Sequence, residues 1–183
     1  MTDLLPIAAP AWTIVAAVYD SPAARGLTDA LHREQAAIYG TADDPAATPP
    51  HEFRPPHGRF LIATSPDGIP LACGGWRTAS PGTAEIKRMY VSPAVRGHGL
   101  GHQMLNALEE DARQHRMTKA ILETGVDNHD ALALYTRAGY ARIQSYVTGR
   151  NPQINRALSK QLLKGTSGWG QLIDGRIAPC LVR

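Results

Sequence analysis

The sequence predicts a mixed α/β fold, in which a mainly antiparallel sheet is flanked by helices and contains one β-α-β unit. Two features support this. Three strand-like segments follow one another between residues 59 and 91 without a helix, and consecutive strands of that kind pair antiparallel. Residues 84–124 then read as strand, helix and strand, a unit that returns parallel and right-handed. The β-α-β unit is therefore expected to lie inside an otherwise antiparallel sheet.

The first third of the chain holds one strand, one helix and one long loop. Residues 12–18 are rich in β-branched and aromatic types, which predicts a strand. Ser21 and Pro22 form a helix-start signal, and this helix is expected to end before Gly40. Residues 40–57 contain five prolines and no clean period, so we expect a loop. A loop of this length is more often functional than idle.

Two further helices follow from their patterns. Apolar residues keep to one helical stripe from Leu100 to Ala112. Asp127 is expected to cap the last helix, which ends at Gly139. The remaining strands are expected at 59–64, 69–77, 84–91, 119–124, 140–148 and 154–162. Residues 1–162 then form one domain, and 163–183 form a Gly-rich, basic tail that is expected to pack loosely.

Composition excludes several classes of protein. The net charge of +3 is too small to argue for nucleic-acid binding, and the basic excess lies after residue 140. No apolar run approaches the length of a membrane span, and the N-terminus lacks the basic start of a secretory signal. Cys73 and Cys180 are far apart in sequence, which argues against a zinc site or a disulfide framework. We therefore expect a cytoplasmic protein without a membrane or nucleic-acid partner.

The most informative segment is the glycine loop, Arg96-Gly97-His98-Gly99-Leu100-Gly101-His102, which follows a strand and opens a helix. Glycines let a ligand approach the backbone, and the N–H groups of a helix start favour an anion. The segment thus predicts a phosphate or pyrophosphate site. A Walker loop would need Gly-Lys-Ser/Thr, and a dinucleotide fingerprint would need its third glycine at His102. Tight packing is the structural alternative for the three glycines.

The region around this loop resembles the GNAT N-acetyltransferases. Arg96, Gly99 and Gly101 match the core of their acetyl-CoA motif, Arg/Gln-x-x-Gly-x-Gly/Ala, within the similar stretch 84–101. A second signature is similar over 122–140, from Leu122-Glu123-Thr124-Gly125 through Asn128 to Gly139-Tyr140. The resemblance implies a GNAT-like sheet with a β-α-β cofactor-binding core, and acetyl-CoA as cosubstrate.

The resemblance also implies cofactor-binding residues. Met89, Tyr90 and Val91 would lie along the pantetheine and thioester, where the strand splays from its neighbour, and an N–H there would polarise the acetyl carbonyl. The glycine loop would cradle the pyrophosphate, and Asn128 would hydrogen-bond the cofactor. A period-two strand would put Glu85, Lys87, Met89 and Val91 on one face unless a bulge intervenes.

Three catalytic residues follow from the same resemblance. Glu85 matches the general base of the histone-acetyltransferase branch, and Glu123 matches that of the ribosomal-protein alanine acetyltransferases. We rank Glu85 first, and a structural carboxylate is the alternative for either residue. Tyr135 matches the acid that protonates the departing thiolate, and its alternative is a core aromatic. Cys73 has no evident histidine partner, so no acyl-cysteine intermediate is expected.

The implied activity is acetyl transfer from acetyl-CoA to a primary amine, of a small molecule, by direct attack in a ternary complex. A protein lysine or N-terminal acetyltransferase and a non-catalytic acyl-CoA-binding module stay open, as does the choice between monomer and homodimer. His51 and His57 lie in the long loop without metal-ligand spacing, so no metal is expected. Asp43-Asp44 could attract a cationic amine, although a solvated loop is the simpler interpretation.

Overall fold

A computed structural model describes residues 11–162, which form a seven-stranded sheet with helices on both faces. The expected tail at 163–183 lies outside the described residues. The helices are α1 (Pro22–Tyr39), α2 (Leu100–Gln114) and α3 (His129–Arg137). The strands are β1 (Thr13–Ala17), β2 (Gly58–Thr64), β3 (Pro70–Ser80), β4 (Thr83–Val91), β5 (Lys119–Gly125), β6 (Ala141–Ile143) and β7 (Asn155–Gln161).

The topology of the sheet confirms the predicted fold class. The strand order is β1-β2-β3-β4-β5-β7-β6, and every neighbouring pair is antiparallel except β4 with β5. That parallel pair is joined through α2, as a crossover requires. In the chain from 11 to 162, no helix is both long and apolar enough to cross a bilayer.

Helix α1 begins and ends where its sequence signals lie. The Oγ of Ser21 accepts a hydrogen bond from the Ala24 N–H, which satisfies one of the free donors of the first turn. Gly40 ends the helix at φ 74°, and its N–H donates to the Ala36 carbonyl. A left-handed residue at this position is the usual glycine C-cap.

Two hydrophobic clusters lie on opposite faces of the sheet. The α2 face carries the larger cluster, which includes the predicted stripe of α2 together with Trp76, Leu122 and Tyr135. The α1 face carries Tyr19, Phe53, Phe60 and Tyr90 packed against Leu27 and Leu31 of α1. Side chains alternate along a strand, and β2, β3 and β4 each contribute buried residues to both clusters.

Three expected boundaries are wrong, and one of them is the end of β3, which lies at Ser80 instead of 77. Asn128, not Asp127, caps α3, because its Oδ1 accepts from the Ala131 N–H while the Asp127 N–H is taken by the Tyr39 hydroxyl. Strand β6 stops at Ile143 instead of 148, and the Tyr146 hydroxyl beyond it donates to Glu85 of β4. The long loop at 40–57 is a loop as expected, with two short 3₁₀ helices at Pro45–Ala47 and Pro50–Phe53.

Candidate active site

The central feature of the site is a gap between β4 and β5. The two strands pair at only three positions, of which the last is Glu85 opposite Ile121. Beyond that point β4 stays paired to β3 as far as Val91, and β5 stays paired to β7 as far as Gly125. The facing edges of β4 and β5 therefore diverge from a vertex at Glu85, which leaves backbone groups available to a ligand.

A β-bulge at Arg88 sets the direction of the side chains along β4. Arg88 has φ 59°, in the left-handed region, and the register to β3 shifts beside it. Met89 and Val91 consequently pack on the α2 face, whereas Glu85 and Lys87 lie on the other face. The four residues therefore do not share one face, because a bulge intervenes and adds one residue to the strand.

The three glycines of the glycine loop have two different structural roles. Gly97 and Gly99 have φ 79° and 87°, which are conformations that favour glycine. A Cβ added at either residue would have no described atom within 4 Å, apart from those of its chain neighbours. Gly101 lies within α2, and its Cβ position is 3.6 Å from Leu134 and from Val91. The first two glycines thus leave an open surface at the start of α2, and the third allows packing against α3.

Other side chains of the loop point in several directions. Leu100 is buried in the α2-face core, so only its backbone can face a ligand. His98 lies with Nδ1 2.9 Å from the Arg96 carbonyl oxygen, and His102 lies with Nε2 3.0 Å from Nδ2 of Asn106 on α2. Both imidazoles are exposed.

Arg96 is held by three contacts. Its Nε donates to the Val91 carbonyl at 2.8 Å, and its Nη2 donates to both carboxylate oxygens of Glu34 on α1 at 2.8 Å. Its guanidinium carbon lies 5.6 Å from the centroid of the Tyr90 ring, which belongs to the α1-face cluster. The side chain of Arg96 thus ties the glycine loop to α1.

A cavity of about 280 Å³ lies between α1 and the start of α3. Asn128 lines it, together with Arg96, Glu34 and Tyr39. Tyr39 also fills the space beside Gly125, where any Cβ would collide with the Tyr39 ring. The structure thus brings Asn128 and Arg96, the first residue of the glycine loop, to one cavity.

Glu85 is a nearly buried carboxylate with three donors. Its Oε2 accepts from Arg77 Nε at 2.7 Å, and its Oε1 accepts from the Tyr146 hydroxyl at 3.1 Å and Lys87 Nζ at 3.4 Å. Burial opposes ionisation, but the charges of Lys87 and Arg77 and these hydrogen bonds outweigh it and hold the pKa of Glu85 below its usual range. The carboxylate stays ionised and is a weakened proton acceptor.

Glu123 lies across the gap, on the same face of the sheet as Glu85. Its Oε1 accepts from the Ser145 hydroxyl at 3.0 Å, and its Oε2 is 3.5 Å from Arg150 Nε. Arg150 also forms a two-pronged ion pair with Asp43 of the long loop. Because Asp43 neutralises Arg150, the ion pair and hydrogen bond of Glu123 are weaker than the contacts that Glu85 makes with its three donors. Asp44 accepts from the Ala46 N–H, so the acidic pair of this loop has structural partners.

Tyr135 lies on the opposite face of the sheet from the two carboxylates. It is buried in the α2-face cluster, with its ring 5.7 Å from that of Tyr140. Burial raises the pKa of the Tyr135 phenol, so the hydroxyl keeps its proton at neutral pH. A group that reaches both Tyr135 and a carboxylate would have to lie in the gap between β4 and β5.

A second cavity, of about 440 Å³, opens on the carboxylate side of the gap. Two loops form its walls, the long loop with His51, Glu52 and His57, and the segment with Tyr146 and Val147; β3 and β4 form its floor. The His51 and His57 rings lie 6.4 Å apart, and across residues 11–162 no group of three metal-ligating side chains was found.

Sequence reasoning missed several residues of the site. Arg77 lies directly opposite Glu85 across the β3–β4 hairpin, and this opposite-charge pair is a signal that a hairpin alignment could have found. Glu34, Tyr146 and Arg150 contact partners 61 to 107 residues away in the chain. No local pattern could have indicated those contacts.

Comparison with known proteins settles the family. The sequence model of the acetyltransferase (GNAT) family matches residues 24–140, more than half of the chain. The chain belongs to the GNAT acetyltransferase family. A solved structure from Klebsiella pneumoniae, described as an acyl-CoA N-acyltransferase, is 31% identical, with a TM-score of 0.71 over 82% of this chain and 97% of that one. The family and the fold class expected from the sequence are thus confirmed.

Individual relatives match smaller segments. IAA acetyltransferase of Azospirillum brasilense is 37% identical over 87 residues, which cover 47% of this chain and 56% of that relative. Aminoalkylphosphonate N-acetyltransferase of Salmonella typhimurium is 39% identical over 56 residues, covering 31% and 36%. The chain therefore matches little more than half the length of the first relative and about a third of the length of the second. The PaiA N-acetyltransferase of Thermoplasma acidophilum, solved in complex with coenzyme A, shares the fold at 16% identity, covering 57% of this chain and 61% of that one, with a TM-score of 0.50.

Proposed function

We propose that this GNAT protein transfers an acetyl group from acetyl-CoA to the primary amine of a small molecule, by direct attack within a ternary complex. The observation that carries the proposal is the gap between β4 and β5, which has the glycine loop at its open end and Glu85 at its vertex. Candidate proton acceptors lie on one side of the gap, and a candidate proton donor lies on the other. Such an arrangement suits a reaction in which one proton is taken and another is given.

The residues present fit a coenzyme A group. Gly97 and Gly99 leave the start of α2 open, and helix N–H groups there suit a pyrophosphate. From Met89 to Val91, β4 pairs with β3 but not with β5. Its backbone N–H and C=O groups on the side of the gap could therefore hydrogen-bond to a pantetheine amide. Acetyl-CoA would supply the activated thioester carbonyl carbon that the amine attacks. In support, one structural neighbour is a coenzyme A complex.

We assign the proton acceptor to Glu123 and a positioning role to Glu85. In the transfer, the amine nitrogen bonds to the carbonyl carbon and the carbon–sulfur bond breaks. The amine gives up one proton, and the leaving sulfur takes one. Three donors already bind Glu85, whereas Glu123 accepts from Ser145 and lies near a neutralised Arg150. In this proposal, the two carboxylates take the reverse of the order expected from the sequence.

Tyr135 is the proposed proton donor to the leaving sulfur. Its phenol is protonated at neutral pH and lies on the far side of the gap from Glu123. Ring packing against Tyr140 and a hydroxyl directed at the gap are compatible roles for one tyrosine.

The cavity on the carboxylate side supports a small acceptor. Its volume of about 440 Å³ falls in the usual range of small-molecule pockets, and Glu85 lies in its floor. The names of two relatives, an IAA acetyltransferase and an aminoalkylphosphonate N-acetyltransferase, point to small acceptors as well.

The test is a screen of primary amines for acetyl-CoA-dependent thiol release, with mass spectrometry of the acetylated product. Peptides with free N-termini or lysines form a parallel set. Turnover of small amines above that of peptides supports the proposal. Preferential turnover of peptides would favour a protein acetyltransferase, and tight acetyl-CoA binding without turnover of any amine would indicate a binding module.

A further inference from the structure

Arg96 is the single lysine or arginine between Met89 and Arg113, so it is the one fixed cation that the sequence places at the glycine loop. Its guanidinium nevertheless contacts a carboxylate of its own chain. Both oxygens of Glu34 accept from Nη2 at 2.8 Å, in a pair whose side chains are 42% and 38% exposed. The positive charge that Arg96 would offer a phosphate is therefore already paired within the chain.

The surroundings of the pair increase this effect. The cavity of about 280 Å³ beside Arg96 is lined by three carboxylates, those of Glu34, Asp127 and Asp130. Among its lining residues, Arg96 is the one permanent cation, so the wall is acidic overall. An anion that approaches this side of the glycine loop meets a carboxylate at the place where it needs a cation.

Helix α1 holds Glu34 in this position. The helix is tied at its C-terminal end, where the Tyr39 hydroxyl accepts from the Asp127 N–H at 3.1 Å. Glu34 lies between that anchor and the buried Leu31. The carboxylate therefore stays beside Arg96, and an exposed pair of this kind is weak enough to exchange partners.

We propose that Glu34 occupies Arg96 as an internal anion, which Arg96 exchanges for a phosphate of the coenzyme, so that Glu34 sets the coenzyme affinity. This inference rests on the proposed function, since it takes the glycine loop as the pyrophosphate site. It assigns a role to an α1 residue outside both sequence signatures.

The experiment measures coenzyme affinity by calorimetry in Glu34→Gln, which keeps the size of the side chain and removes its charge. Acetyl-CoA should bind about three- to tenfold more tightly than to wild type at low salt, and the gain should shrink at high salt because exposed charges are screened. S-acetylpantetheine, which lacks the pyrophosphate, should bind both proteins equally.

Two further variants make the result specific. Glu110→Gln neutralises another exposed carboxylate paired to an arginine, Arg113, towards the other end of α2, and should leave affinity unchanged. In an Arg96→Met background, Glu34→Gln should give no gain, because Glu34 then has no cation to occupy. If Glu34→Gln still tightens acetyl-CoA binding in the Arg96→Met background, the exchange is overturned. Glu34 would then weaken binding only by repelling the phosphate directly.

The outcomes separate this inference from the proposed function. Unchanged or weaker acetyl-CoA binding by a folded Glu34→Gln protein, with wild type binding normally, overturns the role of Glu34 alone. An equal gain for S-acetylpantetheine also overturns it, because the effect would not depend on phosphate. Wild-type protein that binds no acetyl-CoA overturns both.

Discussion

Glu85→Gln separates the two carboxylates of the site. The substitution keeps the shape of the side chain but removes the charge that Arg77, Lys87 and Tyr146 share. If Glu85 positions these groups and Glu123 takes the proton, Glu85→Gln should lower the free energy of unfolding clearly and kcat only slightly. Glu123→Gln should show the opposite pattern.

The structure sets the size of the stability effect. The Glu85 side chain is only 6% exposed, and its hydrogen bond to Arg77 is charge-assisted and 2.7 Å long. Glutamine keeps one acceptor oxygen and turns an amide towards two cations, so the free energy of unfolding should fall by about 2–3 kcal/mol. For a chain of this size that lowers Tm by about 5–10 °C.

The effect should depend on pH in one direction. The folded pKa of Glu85 lies below its ordinary value, so the unfolded chain binds the proton first as the pH falls. The stabilising contribution is complete above the unfolded pKa, near 4.5, and is lost as the pH falls through the lower folded pKa. The Tm difference between wild type and Glu85→Gln should therefore be full at pH 6–7 and shrink in acid.

The assay combines scanning calorimetry across this pH series with steady-state kinetics on an identified amine. We expect Glu123→Gln to lower kcat by about 10²–10⁴, the usual contribution of a general base, and Glu85→Gln to lower it by much less. Glu110→Gln is the control for loss of an exposed carboxylate. A larger rate loss in Glu85→Gln than in Glu123→Gln, with an unchanged Tm, would refute the assignment.

Three further substitutions test the remaining parts of the site. Gly99→Asp should abolish acetyl-CoA binding in calorimetry. Gly68→Asp is the control, because Gly68 has a similar positive φ in the open β2–β3 turn, and it should leave binding intact. Equal affinities of the two variants would contradict the phosphate site. Tyr135→Phe should lower turnover and move the alkaline limb of the pH–rate profile, with Tyr140→Phe as its matched control; an unaltered profile would leave Tyr135 as a packing residue. Cys73→Ala should keep turnover within about twofold, because burial raises the pKa of the thiol and keeps it unreactive, and loss of turnover in a folded protein would point to an acyl-cysteine step.

Local chemistry explains which parts of the fold could be predicted. Ser21 and Gly40 bound α1 because capping bonds are made within a few residues. Gly97 and Gly99 indicate an open helix start because few other residues adopt their φ values. The antiparallel pairing of β2, β3 and β4 follows from their helix-free connections, and the parallel pairing of β4 with β5 follows from the helix between them.

The remaining features depend on contacts that sequence spacing does not encode. The bulge falls on Arg88, which does not have the residue type usual at positive φ, and its side chain is held by Thr48 and by carbonyls of the long loop. One of the three donors to Glu85, the Tyr146 hydroxyl, comes from a segment 61 residues away. Glu34 could not be linked to Arg96 before the packing of α1 was known.

The bulge at Arg88 has a consequence for how this strand can evolve. Each residue beyond it points to the face opposite the one that an unbroken strand would give. Deleting one residue there would move Met89 and Val91 to the α1 face and push the Tyr90 ring into the α2-face core. Substitutions in β4 can therefore be tolerated one at a time, whereas a single-codon deletion exchanges the two sides of the strand at once. The number of residues between Glu85 and Arg96 is thus under stronger constraint than the identity of most of them.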